Sequence, residues 1–260
     1  MKKIAVCYKW VLSDADIRVN EKSRELDMEK TKPQVNEYDR NGLEVGVTLK
    51  EATGAEFVGV TCGTATEAST KDALSRGPDA VYFLDDAAMG KADSTTTSKV
   101  LAGMIKAIGD IDVVVCSEGS SDEYAQQTGP RVAALLGFPC VSYVSAFSVN
   151  GDTLTLERKL EEGTEVVTAK APVVITVVPD VNEAPIPSVK QILGAKKKPA
   201  TAMTLDGIGL SADAVKPLFT VNSVLAPVSS RKAINLTAGG VSVQDAADAL
   251  VKQLAADGIL

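Results

Sequence analysis

The chain of 260 residues contains no histidine. That absence removes the Ser-His-Asp and Cys-His nucleophile systems together with the common His-ligated metal sites. Aromatic residues make up only 4%, so the core has to be built from Val, Ala, Leu and Ile, as parallel sheets buried on both faces require. The four cysteines, Cys7, Cys62, Cys116 and Cys140, stand far apart with no CxxC pair. Three of them sit in or end apolar runs, and they read as reduced, small core residues of a cytosolic protein. Long apolar runs are missing too. Met1-Lys2-Lys3 leads directly into Ile4-Ala5-Val6, too short for a signal peptide or a membrane span, so the expected location is the cytoplasm. Positive charge is in deficit, 27 Lys and Arg against 34 Asp and Glu, which argues against nucleic acid or an anionic membrane surface as the main partner.

What is present is an apolar content of 45%, enough for a substantial core in one large or two small domains. Apolar runs at Lys3–Tyr8, Phe57–Cys62, Ala80–Leu84 and Asp112–Cys116 alternate with helical patterns at Glu37–Ala52, Thr66–Ser75, Asp93–Ile108 and Gln127–Leu136. This alternation predicts a doubly wound α/β fold with a mostly parallel sheet. In the first helix Tyr38, Val45, Leu49 and Ala52 share a face at helical spacing, and Gly42 and Gly46 would admit a closely approaching backbone. After Pro139 an Asn150-Gly151 hairpin signal, a turn at Gly163 and the run Pro172–Val178 predict a β-meander added to the same domain. From Pro179 the chain is proline-rich, residues 200–236 show little periodicity, and Val241–Leu254 closes as a helix. A stretch so irregular is unusual inside a compact domain. It reads as an extended C-terminal arm packing on a partner chain, or as a flexible tail.

The most informative segment is Ser117–Arg131, SEGSSDEYAQQTGPR. It joins the apolar run Val113–Cys116 to the helical run beginning Val132. In open parallel sheets, ligands bind outside the carboxyl ends of the strands, and a helix N-terminus there offers free N–H groups to a phosphate. Pro130 cannot sit deep in a helix, so the helix should start near Thr128 or Gly129. The loop carries Ser, Gln and Thr donors but no His, Lys or Cys. It is suited to holding a nucleotide, not to reacting with one, although a plain connection would read the same way.

Several segments together resemble the β subunit of electron transfer flavoproteins, most closely the Fix-type branch. They are Cys7-Tyr8-Lys9-Trp10-Val11, Val35-Asn36-Glu37-Tyr38-Asp39, Ser75–Asp79, Gly119–Asp122, Ala125–Gly129, Arg158–Thr176, Ile186–Lys190 and Ile192–Pro199. The resemblance covers residues 2–200 and weakens in the tail. It implies an electron carrier subunit, not an enzyme, in a heterodimer with a larger α subunit. FAD held mainly by α would carry electrons from an acyl-CoA-type dehydrogenase to an acceptor such as a quinone oxidoreductase, with or without electron bifurcation. This chain would hold an adenine nucleotide, AMP or a second FAD. Carried over by position, that site falls on Cys7, Asn36, Glu37, Tyr38, Asp39, Cys62, Ser117, Glu118, Gly119, Ser120, Ser121, Asp122, Ala125, Gln126, Gln127 and Thr128. A partner-recognition loop falls on Val189, Ile192 and Leu193, beside the run Lys196–Lys198, which would otherwise be solvated charge.

The implied organisation is a nucleotide-binding domain over residues 1–184, the recognition loop over 185–199 and the arm over 200–260. Glu37 and Asp39 depart from the simple carriers, which place an apolar or Pro residue and a Cys there. Two carboxylates beside a phosphate are unfavourable, so they should face ribose or adenine, or point away. Asn36 and Asp39 would also serve simply to cap helix amides. The alternative function is an adenine-nucleotide-binding protein or hydrolase of the same fold without a redox role. A hydrolase would need a glycine-rich phosphate loop after the first strand, and Lys9–Asp14 has no glycine.

Overall fold

Valine-rich runs with no polar face can only be satisfied between two layers of helices, and that is where they lie. The computed structural model describes residues 1–228 and 233–260. In chain order the elements are β1 (Lys3–Cys7), β2 (Trp10–Leu12), β3 (Arg18–Val19), β4 (Leu26–Asp27), β5 (Pro33–Val35), α1 (Glu37–Thr53) and β6 (Glu56–Gly63). Next come α2 (Thr70–Ser75), β7 (Ala80–Asp85), α3 (Ser94–Ile108), β8 (Ile111–Ser117) and α4 (Thr128–Leu136). The chain continues with β9 (Cys140–Asn150), β10 (Thr153–Leu160), β11 (Gly163–Lys170), β12 (Val173–Val177), α5 (Val189–Ala195), β13 (Ala200–Ala202) and α6 (Val243–Ala256).

Nine strands form the main sheet in the order β11-β10-β9-β12-β8-β1-β6-β7-β13. From β9 to β13 the neighbours pair in parallel, and β9, β10 and β11 extend the sheet as an antiparallel meander. The fold is therefore the doubly wound α/β class with its meander, as the sequence predicts. Connections leave β1 towards β6 on one side and β8 on the other, which makes the β1–β8 boundary the topological switch point.

Alternation within the strands divides the core in two. Ile4, Val6, Val113, Val115 and Ile175 pack with Leu43, Val45 and Leu49 of α1 on one face. Ala5, Cys7, Val114 and Cys116 pack with Val100, Leu101, Met104 and Val132 of α3 and α4 on the other. Each such Val or Leu contributes roughly 1.5–3 kcal/mol when fully buried. The buried face of α1 is Asp39, Gly42, Leu43, Val45, Gly46 and Leu49, and Ala52, assigned to it above, is exposed. Gly46 is there for space: a Cβ would lie 2.5 Å from the Phe57 ring and 2.8 Å from Val6.

Residues 200–215 stay on the body. β13 pairs with β7 along Ala200↔Val81 to Ala202↔Phe83, and Leu205 and Val215 are buried against the α3 side of the core. Low periodicity hid this attachment, because the strand has only three residues. Beyond it, Leu218, Phe219, Val221, Val224 and Val228 are exposed, and α6 has no buried residue.

Candidate functional site

Cys7, Cys62 and Cys116 stand at or near the carboxyl ends of β1, β6 and β8, and all three line one cleft of about 320 Å³ at the switch point. That size is in the range of small-molecule sites. The loop from Ser117 to Thr128 forms one wall, and residues around the start of α3, Ser94 and Thr97, form the opposite one. Of the residues assigned by sequence, Cys7, Asn36, Asp39, Cys62, Ser117, Glu118, Gly119, Ser120, Asp122, Ala125, Gln126, Gln127 and Thr128 line this cleft.

Three assigned residues do not. Glu37 is exposed on the first turn of α1, its carboxylate 3.7 Å from Arg40. Tyr38 packs its ring against Tyr124, centroids 5.6 Å apart. Ser121, in the same loop, does not reach the cleft; its hydroxyl is buried and unpartnered. Sequence reasoning missed Lys9, Trp10, Ser94 and Thr97, which also line the cleft. Lys9 and Trp10 follow β1 directly, so their place at a strand end was the available signal. Ser94 and Thr97 reach the site only because α3 packs beside α4, a non-local fact.

The loop is held shut by its neighbours. Asn36 does not cap α1; its side-chain amide donates to the Gly119 carbonyl at 3.3 Å and accepts from the Ser121 N–H at 3.0 Å. The Lys9 ammonium lies 2.7 Å from Asp122 and 3.8 Å from Glu123. Partial burial pushes Asp122 up, but Lys9 and the Ser120 hydroxyl outweigh it and hold the carboxyl below its ordinary range. Tyr124 donates to Glu118 at 2.6 Å, and this bond pushes the phenol up to about 12. Tyr124 and Gln126 take left-handed backbone angles, φ 45° and 56°, conformations that cost a non-glycine residue free energy.

α4 begins at Thr128, and Gln127 ahead of it makes no side-chain cap. Its first amides, those of Thr128 and Gly129, therefore lack the usual side-chain acceptor at the cleft, where an anion would be welcome. The Gln127 side-chain oxygen Oε1 instead accepts from the Arg131 guanidinium at 2.8 Å and from Ser94 at 3.2 Å, while Arg131 also donates to Thr95 at 2.8 Å. That network ties the starts of α3 and α4 together. Gly129 sits so tightly that a Cβ would fall 2.4 Å from Thr176 Cγ2.

The titratable groups do not form a reactive pair. Burial pushes the Cys62 thiol up to about 12. Contact with Cys7, then burial, raises Cys116 well above the ordinary thiol range, so both stay protonated and poorly nucleophilic. Burial likewise pushes Asp39 up to about 6, tempered by nearby donors and the Lys9 charge. No group of three or more His, Cys, Asp and Glu side chains suited to a metal converges among the described residues.

Elsewhere, Val189, Ile192 and Leu193 are exposed on α5. The segment expected to be a loop is a helix because Ser188 and Gln191 form a capping box. Lys198 is not free in solvent: its ammonium donates to the Leu74, Gly77 and Pro78 carbonyls at 3.2, 3.2 and 2.6 Å. No helix among the described residues is long and apolar enough to cross a membrane.

A mostly parallel sheet with helices on both faces, and a polar crevice where strand order reverses, defines an open α/β protein, a class in which ligands bind at that position. Residues 26–207 match the model of the electron transfer flavoprotein domain. The chain belongs to that family of flavin-associated electron carriers, which act with companion subunits and dehydrogenases.

Proposed function

We propose that this chain is the β subunit of a Fix-type electron transfer flavoprotein, holding one adenine nucleotide at the β1–β8 switch point. The observation that carries the reading is the gathering of Cys7, Asn36, Asp39, Cys62 and the 117–128 loop around one cleft of nucleotide size. The residues fit such a ligand. The Ser117 hydroxyl, buried at the cleft, and the uncapped start of α4 provide donors that phosphate or ribose oxygens would satisfy. Trp10 and Met89 supply apolar surface for a base.

In this reading the FAD shared with the α subunit supplies the redox chemistry. The residues of this chain bind, orient and exclude water, and none makes or breaks a bond. AMP suits a simple carrier, and a second FAD suits a bifurcating one. Residues 1–184 form the nucleotide-binding domain, and the α5 region, within residues 185–199, presents Val189, Ile192 and Leu193 to an acyl-CoA-type dehydrogenase. The chain is attached to the body through Val215, and beyond it continues as the arm that packs on α, in the cytoplasm, where the free cysteines stay reduced.

The test is to purify the chain with its companion subunit, release bound ligands and identify them by mass. One adenine nucleotide per chain in addition to the shared flavin is expected. A preparation with no such nucleotide, yet active in electron transfer, would overturn the assignment. Tight stoichiometric FAD on the isolated chain would select the bifurcating form.

A further inference from the structure

The cleft has an unbalanced set of charges for the ligand assigned to it. Asp39, Glu118, Asp122 and Glu123 line it, and Lys9 is the one cation among the described lining residues. Two of those carboxylates, Asp122 and Glu123, already hold Lys9, and Glu118 accepts from Tyr124. Asp39 is different. It is 5% exposed and pairs with no cation among the described residues, accepting instead from the Lys9 backbone N–H at 2.7 Å.

The groups facing Asp39, the Lys9 charge included, offset its burial only in part. From the end of β8, the Ser117 hydroxyl reaches the carboxylate and lowers its pKa, and the neighbouring Cys116 stays a neutral thiol. From the segment before α1, the Asn36 amide also lowers it but is committed to Gly119 and Ser121. On α1 itself, Arg40 turns to Gln34 and Glu37. Burial outweighs these donors and the Lys9 charge together, so the carboxylate is held in its ionised form at a cost.

We propose that Asp39 is a proton-binding site coupled to the ligand: an anionic nucleotide enters the cleft together with one proton, which the Asp39 carboxylate takes up. The inference rests on the nucleotide reading above. Near neutrality Asp39 is mostly ionised while the cleft is empty, since burial holds its pKa at about 6. Phosphate charge brought into the same low-dielectric space disfavours the carboxylate further and moves its pKa up through neutral pH. Protonation also turns an acceptor-only group into one that donates a hydrogen bond. The sign follows from linkage: with the pKa higher in the bound state, binding takes up protons, and affinity falls as pH rises above about 6.

The test uses the full chain freed of endogenous nucleotide, with AMP as the probe and Trp10, the single tryptophan, as the fluorescent reporter lining the cleft. A phosphate monoester completes its own ionisation by about pH 7, so the window is pH 7 to 8.5. Affinity of the wild type should fall about three- to tenfold across it. Titration calorimetry at pH 7.5 in two buffers of different ionisation enthalpy should register net proton uptake of about half a proton or more. In Asp39→Asn both effects should vanish, leaving a flat profile. Should that variant fail to fold, infrared difference spectra of the wild type serve instead, with AMP expected to produce a new protonated-carboxyl band. AMP binding without proton uptake and without that band overturns the proposal and leaves the nucleotide reading standing. Failure of both AMP and FAD to bind overturns the two together.

Discussion

Asp39 also bears on stability in the absence of ligand. Its folded-state pKa is raised from 3.8 to about 6, so the folded chain binds more protons than the unfolded one between those values. Folding stability from this group is therefore lost as pH rises through that window. Asp39→Asn keeps an acceptor for the Lys9 N–H and removes the charge. It should stabilise the chain at pH 8 by on the order of 2–3 kcal/mol, with the gain shrinking to nothing below pH 4. Thermal melts at pH 4, 6 and 8 check it. Thr128→Val tests the cleft from the other wall. Losing a hydroxyl to a charged ligand costs roughly 1.5–3 kcal/mol, so nucleotide affinity should drop about tenfold or more, with the ligand-induced rise in melting temperature reduced in step. At Gly129 the expectation concerns packing: a Cβ 2.4 Å from buried Thr176 should make Gly129→Ala lose roughly 1–3 kcal/mol by overpacking, read as a lower melting temperature without ligand.

Among the elements, α5 is the most exposed to test. Truncating Val189 or Leu193, which are 74% and 56% exposed, to Ala should leave the melting temperature unchanged. Electron transfer from a dehydrogenase should weaken about tenfold if these side chains are covered there, each worth roughly 1.5–3 kcal/mol. A fall in melting temperature with transfer untouched would make them packing residues. Ser188→Ala, which removes the capping box, should cost the helix about 1 kcal/mol and weaken docking without changing the nucleotide.

The same helix shows where the sequence stops being legible. Pro185 and Pro187 mark the region as irregular, and seven helical residues are too few for periodicity to speak, yet Ser188-x-x-Gln191 was a readable start signal. β1, β6, β7, β8 and β12 were legible because their runs are apolar on both faces. In the cleft, the residues on one continuous loop could be read together. Ser94 and Thr97 could not, since their relation to it depends on which helices become neighbours. Asp39 could be read as a site residue or as a helix cap, but only the approach of Lys9 and Ser117 makes it a buried charge.

For the molecule as a whole, the body and the tail differ in kind. Residues through Val215 belong to the packed core, whereas the segment after it is tied back at few points, notably the Leu218 N–H to Asp93 at 2.7 Å. A chain ending at residue 217 should keep its melting temperature and its nucleotide while failing to co-purify with the companion subunit. Loss of nucleotide on truncation would place the tail's role in the cleft instead.

Leu218, Phe219, Val221, Val224 and Val228, all exposed along that tail, have a consequence for the life of the protein inside a cell. A run of bare apolar side chains is what chaperones and proteases use to recognise unfinished polypeptide. Synthesised without a companion to cover it, the chain should be triaged and cleared quickly, and supplying the companion should lengthen its half-life in a pulse-chase measurement. The arm would then act as an inspection tag, removing surplus copies so that the two subunits accumulate in equal number.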